Sequence, residues 1–111
     1  MAAYTASLGE FEVVVLMAVL HLGSDAYGSA IRAEIERRGG RAVSRGAVYI
    51  TLDRLEDKAL LASKPGPATT DRAGRQKRVF RVTAHGVASV KRSVAMMVHM
   101  HKGLEPQLGD L

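Results

Sequence analysis

The chain has 111 residues, of which 47% are hydrophobic and 24% charged, a composition typical of one globular domain and not of a disordered protein. It contains no cysteine, so disulfides, thiolate catalysis and cysteine-ligated zinc are excluded. No signal peptide is apparent, and the longest apolar stretch, residues 13–20, is too short to span a membrane, so we expect a soluble cytoplasmic protein.

The net charge of +5 is unevenly distributed along the chain. Residues 41–82 hold ten of the 16 basic residues but four of the 11 acidic ones, whereas residues 1–40 are net acidic. Clustered cations favour a polyanionic partner, because they displace the counterions condensed on phosphates. The alternative is a basic surface that is merely solvated.

The first predicted helix covers residues 8–22. Ser7 and Glu10 have the spacing of a capping box, in which each side chain satisfies a backbone N–H of the other. Five apolar residues share one face that we assign to the core: Leu8, Phe11, Val15, Ala18 and Leu22. The helix is apolar nearly all round, so in so short a chain its second face is expected to meet a partner subunit.

Two further helices follow. Asp25 is the expected cap of a helix over residues 26–38, and Gly39 and Gly40 end it. Ser44 is the expected cap of a third helix over residues 45–59. The third helix directs one narrow stripe to the core, which consists of Val48, Leu52 and Leu55.

The next segment predicts a wing followed by a long helix. Residues 60–64 and 78–82 are expected strands, and the segment between them, residues 65–77, is too long for a tight hairpin. Thr83 caps a helix over residues 84–104, beyond which residues 105–111 are expected to fray as a flexible tail. Spacings of three and four along this helix predict a coiled-coil seam, formed by Val87, Val90, Val94, Met97, His101 and Leu104.

The order of these elements predicts a mainly α fold with a small two-stranded β-wing, a winged helix-turn-helix. The expected organisation is a DNA-binding domain over residues 1–83 with a dimerisation helix, residues 84–104, packed on it. Three local stretches resemble the PadR family of transcriptional regulators: Leu8–Glu12 with Leu22-Gly23, Asp25–Gly28 with Ile31-Arg32, and Val43–Tyr49 with Thr51–Lys58. A fourth stretch, Gly74–Arg78 with Phe80–Thr83 and Gly86, resembles that family's wing.

The resemblance implies a dimeric DNA-binding regulator, commonly a repressor, of the short form with one C-terminal helix. The sequence departs from the family pattern at Ile50 and Gln76, where proline is usual, and at Val79, which replaces a common aromatic. These departures put base preference and wing geometry in doubt, but not the fold. The absence of tryptophan means that the aromatic drug-stacking pocket of some relatives is not assumed.

The expected DNA contacts are at the start of the third helix, which enters the major groove, and in the wing. The candidates are Ser44, Arg45, Gly46, Ala47, Tyr49, Ile50, Thr51, Arg54, Arg72, Arg75, Lys77 and Arg78. Arg45 either reads guanine or clamps a phosphate. Tyr49 either contacts a phosphate or a base, or is a half-buried structural residue. Arg54 either contacts the DNA backbone or pairs with Glu34 or another surface acid.

The expected homodimer interface combines the first and last helices. The candidate interface residues are Phe11, Val14, Met17, Val87, Val90, Val94, Met97, His101 and Leu104. We expect such a dimer to bind an inverted-repeat operator and to be released by an unknown effector. Met96 to Met100 pack at this interface or, alternatively, line an effector cavity. His99 and His101 leave open a metal- or pH-responsive variant of the regulator, although no metal site or cofactor is predicted.

No catalytic constellation is recognisable, because the chain has no nucleophile elbow, phosphate-binding loop or metal-spaced His/carboxylate set. An enzyme is therefore not expected. The stronger competitor is a protein-interaction module that uses the same fold without binding DNA, since fold does not determine function.

Overall fold

The computed structural model describes residues 8–70 and 76–110. Three helices come first: α1 (Glu10–Leu22), α2 (Gly28–Gly39) and α3 (Arg45–Asp57), with a 3₁₀ turn at Gly23–Asp25. Strands β1 (Leu61–Thr70) and β2 (Gln76–Val82) then form an antiparallel pair, and α4 (Ala84–His101) and α5 (Glu105–Leu108) follow. The predicted winged-helix fold, mainly helical with a two-stranded wing, is confirmed.

Two of the four expected helix caps are confirmed. Ser44 Oγ accepts from the Ala47 N–H at 3.0 Å, and Thr83 Oγ1 accepts from the Gly86 N–H at the same distance. α3 ends at Asp57, two residues before the predicted end, because Ala59 adopts a left-handed φ of 60° that a helix does not continue through.

The other two caps differ from prediction. At α1, Gly9 is the capping residue, and its N–H donates to the Glu12 carboxylate at 3.0 Å, so the helix begins two residues late and the expected Ser7 cap lies outside the described residues. At α2, Asp25 does not cap the helix, because it belongs to the 3₁₀ turn and Tyr27 is the residue that precedes the first turn.

The core lies where α1, α2 and α3 meet. The predicted stripe of α3 is completely buried, as are Leu16 of α1 and Ile31 of α2. On α1, Val15 and Ala18 are buried, while the other predicted core residues are partly buried against the same cluster, namely Leu8, Phe11 and Leu22. Burial of several large aliphatic side chains at roughly 1.5–3 kcal/mol each makes this cluster the main source of stability.

The strands are longer than predicted. The pairing runs in register from Leu61 opposite Val82 to Pro65 opposite Arg78, shifts, and resumes with Thr70 opposite Gln76. The described residues of the predicted connection, 65–70 and 76–77, therefore belong to the strands. The irregularity lets the ladder continue past Pro65, since a proline without an N–H is tolerated beside a bulge.

The wing is attached to the helices through the segment between α1 and α2. The Phe80 N–H donates to the Ala26 carbonyl at 2.9 Å, and Tyr27 forms an antiparallel bridge with Val79. Phe80 itself is buried in the core. The helical domain and the base of the wing therefore form one body.

The C-terminal part also differs from prediction. α4 ends at His101, three residues early, because Lys102 is extended and Gly103 has a left-handed φ of 89°. The residues expected to fray include α5, and His101 Nε2 lies 3.0 Å from the Gly109 carbonyl oxygen.

Gly86 marks the close approach of α4 to the end of α3. A Cβ at this position would lie 2.2 Å from the Leu60 carbonyl oxygen and 2.7 Å from a methyl group of Val82. We predict that Gly86→Ala lowers the free energy of unfolding by about 1–3 kcal/mol, because backbone must move to accept the methyl group. Urea unfolding measures this. Gly39→Ala is the matched control, since a Cβ there meets nothing within 4 Å, and equal stability of the two variants would contradict the packing.

Lys58, at the end of α3, joins that helix to α1. Its ammonium group lies 2.7 Å from the Glu12 carboxylate. Burial disfavours the charged form of Glu12, but hydrogen bonds from Lys58 and the Gly9 N–H outweigh it, and the pKa of Glu12 is held below its usual value.

A carboxylate whose pKa is lowered by folding stabilises the protein above its ordinary pKa of 4.5, and that stabilisation is lost as the pH falls through the lower folded value. We therefore predict that wild-type protein loses more stability than Glu12→Gln between about pH 6 and about pH 3. The difference should be at most about 1 kcal/mol, because the Lys58 side chain is 43% exposed and solvent screens the pair. Urea unfolding at several pH values measures the difference. Asp25→Asn, which removes an exposed carboxylate, should retain the wild-type slope, and a wild-type slope in Glu12→Gln would refute the assignment.

Candidate nucleic-acid interface

The N-terminal half of α3 stands clear of the core. Arg45, Gly46 and Ala47 are exposed, and a Cβ added at Gly46 would meet nothing within 4 Å. The Ser44 cap satisfies the Ala47 N–H and leaves the positive end of the helix dipole facing outward. This end of α3 therefore presents small residues beside one arginine, an arrangement that allows the backbone close to a ligand surface.

Tyr49 is held against the start of α2. Gly28 is buried beneath its ring, so that a Cβ there would lie 2.2 Å from the tyrosine hydroxyl oxygen. The Arg45 guanidinium lies 5.4 Å from the centre of the same ring. Tyr49 remains 38% exposed, so it both packs against α2 and supports Arg45 at the surface.

The remaining predicted residues of α3 separate into two groups. Ile50 is 56% exposed and Arg54 is also exposed, on the open side of the helix. Thr51, in contrast, is 7% exposed and lies with Val48 on the core side. Thr51 therefore offers less surface to a phosphate than the other candidates on α3, and its polar character hid its place on the buried side of the helix.

Arg54 does not pair with Glu34, which was the alternative considered for it. Glu34 accepts instead from Arg37 at 2.8 Å and from Arg38, and these hydrogen bonds hold the pKa of Glu34 below its usual value. Among the described residues, no carboxylate lies within 4.0 Å of Arg45 or Arg54. Both cations on the open side of α3 are therefore available to an outside anion.

The turn before α3 is held by two side chains of α2 that the sequence did not single out. Arg32 Nε donates to the Val43 carbonyl at 2.8 Å, and the Val43 N–H donates to the Glu36 carboxylate at 3.0 Å. Both backbone polar groups of Val43, the residue before Ser44, are thus hydrogen-bonded. Arg32 and Glu36 are four residues apart and share one face of α2. No local sequence pattern indicates that both bind the backbone of Val43, which lies eleven and seven residues further along the chain.

The acidic end of α1 neutralises part of the basic segment. Arg41 lies 3.5 Å from Glu10 and above the Phe11 ring, and Lys58 is paired with Glu12. Two of the cations that made residues 41–82 strongly basic are therefore engaged within the chain.

The wing carries cations on both faces. Lys77 is exposed, with its amine 5.6 Å from the centre of the Tyr27 ring. Arg78 is exposed but hydrogen-bonded to Ser63, while Lys64 and Arg81, which were not candidates, are exposed too. The other two wing candidates, Arg72 and Arg75, lie outside the described residues.

The predicted dimer residues fall into three environments. Val90 is 7% exposed and packs inside the chain, whereas Phe11, Val14 and Met17 are partly buried against the core. His101 is partly buried and faces the turn at Gly109. The remaining predicted residues stand exposed on the surface: Val87, Val94, Met97 and Leu104.

The second half of α4 exposes further large apolar side chains. Met96, Val98 and Met100 are exposed beside Met97, and Leu20 of α1 and Leu108 of α5 are exposed as well. Several large exposed apolar side chains on one helix are typical of an interaction site. We call the set Val94, Met96, Met97, Val98 and Met100 the α4 apolar surface.

The described residues contain neither a metal-binding cluster nor a membrane-spanning helix. No group of three or more His, Asp or Glu side chains there is arranged to hold a metal ion. None of the helices in the described ranges is both long and apolar enough to cross a bilayer.

Comparison with known proteins places the chain in a family. Residues 16–92 match the Transcriptional regulator PadR-like family. The chain is 37% identical over 84 residues to the transcriptional regulator Rv3488 of Mycobacterium tuberculosis, a match that covers 73% of this chain and 74% of that protein.

Two solved structures have the same fold. A PadR-like transcriptional regulator from Bacillus cereus superposes with a TM-score of 0.67 at 16% identity, covering 91% of this chain and 93% of that one. BpsR of Bordetella bronchiseptica, whose DNA binding is regulated by 6-hydroxynicotinic acid, superposes with a TM-score of 0.67 at 20% identity, covering 91% and 67%.

The resemblance found in the sequence is therefore confirmed, and an enzymatic role does not fit this family. On the match over residues 16–92 and the relationship to Rv3488, the chain belongs to the PadR-like family of transcriptional regulators.

Proposed function

We propose that this regulator is a homodimer that binds an inverted-repeat operator, represses transcription from it, and is released by an effector. One observation carries the DNA-binding part of the proposal: the capped N-terminal half of α3 is free of the core and carries Arg45 and Ile50 outward. The family membership implies DNA binding, and this is the surface whose shape suits a groove.

The major groove, about 12 Å wide, admits a helix when bulky side chains do not hold it off. Gly46 and Ala47 offer that clearance. In this arrangement Arg45, supported by the Tyr49 ring, donates two hydrogen bonds to a guanine edge, and Ile50 contacts a thymine methyl group. Ser44 and the free N–H groups of the first turn receive a phosphate.

The wing supplies sequence-independent affinity. Lys77, with Arg72 and Arg75 beside it in the chain, contacts phosphates or the minor groove flanking the helix site. Arg54 contacts the backbone from the second half of α3. Asp53 and Asp57 are exposed further along that helix and repel phosphates, so this half tilts out of the groove.

The homodimer is supported by the α4 apolar surface. Met97 and Met100 are 61% and 69% exposed in the single chain, and apolar area of this kind is stabilised by removal from water. A second copy, packed through α4 together with the half-buried residues of α1, covers it. Two recognition helices then face DNA about one turn apart, roughly 34 Å, which is the reason for a dyad-symmetric operator.

The release of the repressor by a small molecule is proposed by analogy with BpsR, a structural neighbour at 20% identity. The methionines of α4 are flexible enough to adapt to such a ligand at the interface.

The DNA-binding proposal predicts a protected dyad-symmetric site, in footprinting, on the DNA immediately upstream of the protein's own gene. Arg45→Ala should weaken binding to that site by about five- to 150-fold, the loss of one bidentate base contact. Arg92→Ala is the control, since it removes the same charge from α4. Wild-type affinity in both Arg45→Ala and Tyr49→Ala would contradict the assignment of α3 as the DNA-contacting helix. Binding to duplex DNA that does not weaken as the salt concentration rises would favour a protein partner instead of DNA.

The dimer proposal predicts that Met97→Glu yields a monomer, because two buried carboxylates without partners oppose association. Sedimentation equilibrium of the folded protein measures this. His99→Glu, which places the same charge at an exposed position on another side of α4, should remain dimeric. A monomeric wild-type protein at micromolar concentration would refute the interface.

A further inference from the structure

Three side chains from three different elements form a hydrogen-bonded chain at the base of the wing. Glu56 belongs to the last turn of α3, Ser63 to β1 and Arg78 to β2. The Ser63 hydroxyl donates to the Glu56 carboxylate at 2.7 Å, and Arg78 Nε donates to Ser63 Oγ at 3.1 Å, with Nη2 of the same guanidinium donating to that oxygen as well.

The Ser63 hydroxyl uses its whole hydrogen-bonding capacity. A hydroxyl has one hydrogen to donate and two lone pairs to accept with, and Ser63 uses all three. Within the part of the chain that the structure describes, Glu56 and Arg78 do not approach within 4.0 Å of each other. The serine hydroxyl is therefore the link between the recognition helix and the second strand of the wing.

The strand geometry explains how the exposed Arg78 side chain reaches Ser63. Side chains two apart in a strand share a face, so Arg78 is on the face of Phe80, which is buried in the core. Ser63 is paired directly with Phe80, and Arg78 is therefore its diagonal neighbour. Beyond this point, the ladder becomes irregular between Pro65 and Thr70. The Glu56–Ser63–Arg78 hydrogen bonds therefore lie where the regular part of the wing ends.

We propose that Glu56, Ser63 and Arg78 hold the wing at a set angle to the recognition helix, and that Arg78 is a positioning residue and not a phosphate contact. The inference deepens the proposed function and rests on it for its effect on DNA. Arg78 was a candidate DNA contact because of its charge. Its guanidinium is instead committed to Ser63, and its contribution is the placement of the wing cations beyond it.

The test uses Ser63→Ala, which removes the link and leaves every charge in place. In the free protein, hydrogen exchange of the paired amides of Leu61–Lys64 and Val79–Val82 should speed up by about two- to tenfold, the effect of one lost hydrogen bond. Ser63→Thr retains the hydroxyl and should exchange like wild type. Unchanged exchange in Ser63→Ala overturns the coupling whether or not the protein binds DNA.

Binding to operator DNA tests the role of Arg78 separately. Ser63→Ala and Arg78→Ala should each weaken binding about two- to tenfold. The double variant should bind DNA no more weakly than either single variant, because all three variants break the same set of hydrogen bonds. The slope of log affinity against log salt should remain that of wild type in all of them.

Arg81→Ala is the matched control, with the same residue type on the same strand but on the outer face. The loss of DNA affinity in Arg81→Ala should add to the loss in Ser63→Ala. A salt slope reduced by about 0.9 in Arg78→Ala, together with wild-type binding in Ser63→Ala, would identify Arg78 as a phosphate contact and overturn the inference. Absence of DNA binding by the wild-type protein would instead refute the proposed function, and the exchange experiment would then decide the coupling alone.

Discussion

The burial of one stripe of α3 is the constraint on which the rest of the structure depends. Val48, Leu52 and Leu55 have no exposed surface and pack against α1 and α2. Because a helix is a rigid rod with 3.6 residues per turn, this packing decides which residues face solvent over its whole length. The open side, with Arg45 and Ile50, is a consequence of the buried side.

Several contacts from outside α3 hold its ends. Arg32 and Glu36 hydrogen-bond to the backbone carbonyl and N–H of Val43 before the helix, and Lys58 links its far end to Glu12. Gly28 admits the Tyr49 ring, which no larger residue would allow without displacement. The surface proposed for DNA is therefore supported by groups that do not themselves face the DNA.

The intrachain ion pairs also shape the electrostatics of that surface. The acidic residues of α1 pair with Arg41 and Lys58, which lie at the two ends of α3. Among the described residues, Arg45 and Arg54 have no carboxylate within 4.0 Å and are not engaged in this way. α4 differs from α3 in that much of its exposed surface is apolar. Its first turns pack on the domain, and its later turns expose methionine and valine side chains.

Much of this protein was determined by local sequence alone. The winged-helix order, the caps Ser44 and Thr83, and the buried stripe of α3 follow from periodicity and side-chain chemistry within a few residues, and these were predicted correctly. The tertiary structure decided the rest. It placed Thr51 in the core, moved the start of α2 to Gly28 so that Ala26 and Tyr27 pair with β2, lengthened both strands past Pro65, and committed Arg78 to Ser63. The physical reason is the same in each case: hydrogen bonds and packing between segments far apart in the chain override local preference, and a single sequence does not specify which distant groups meet.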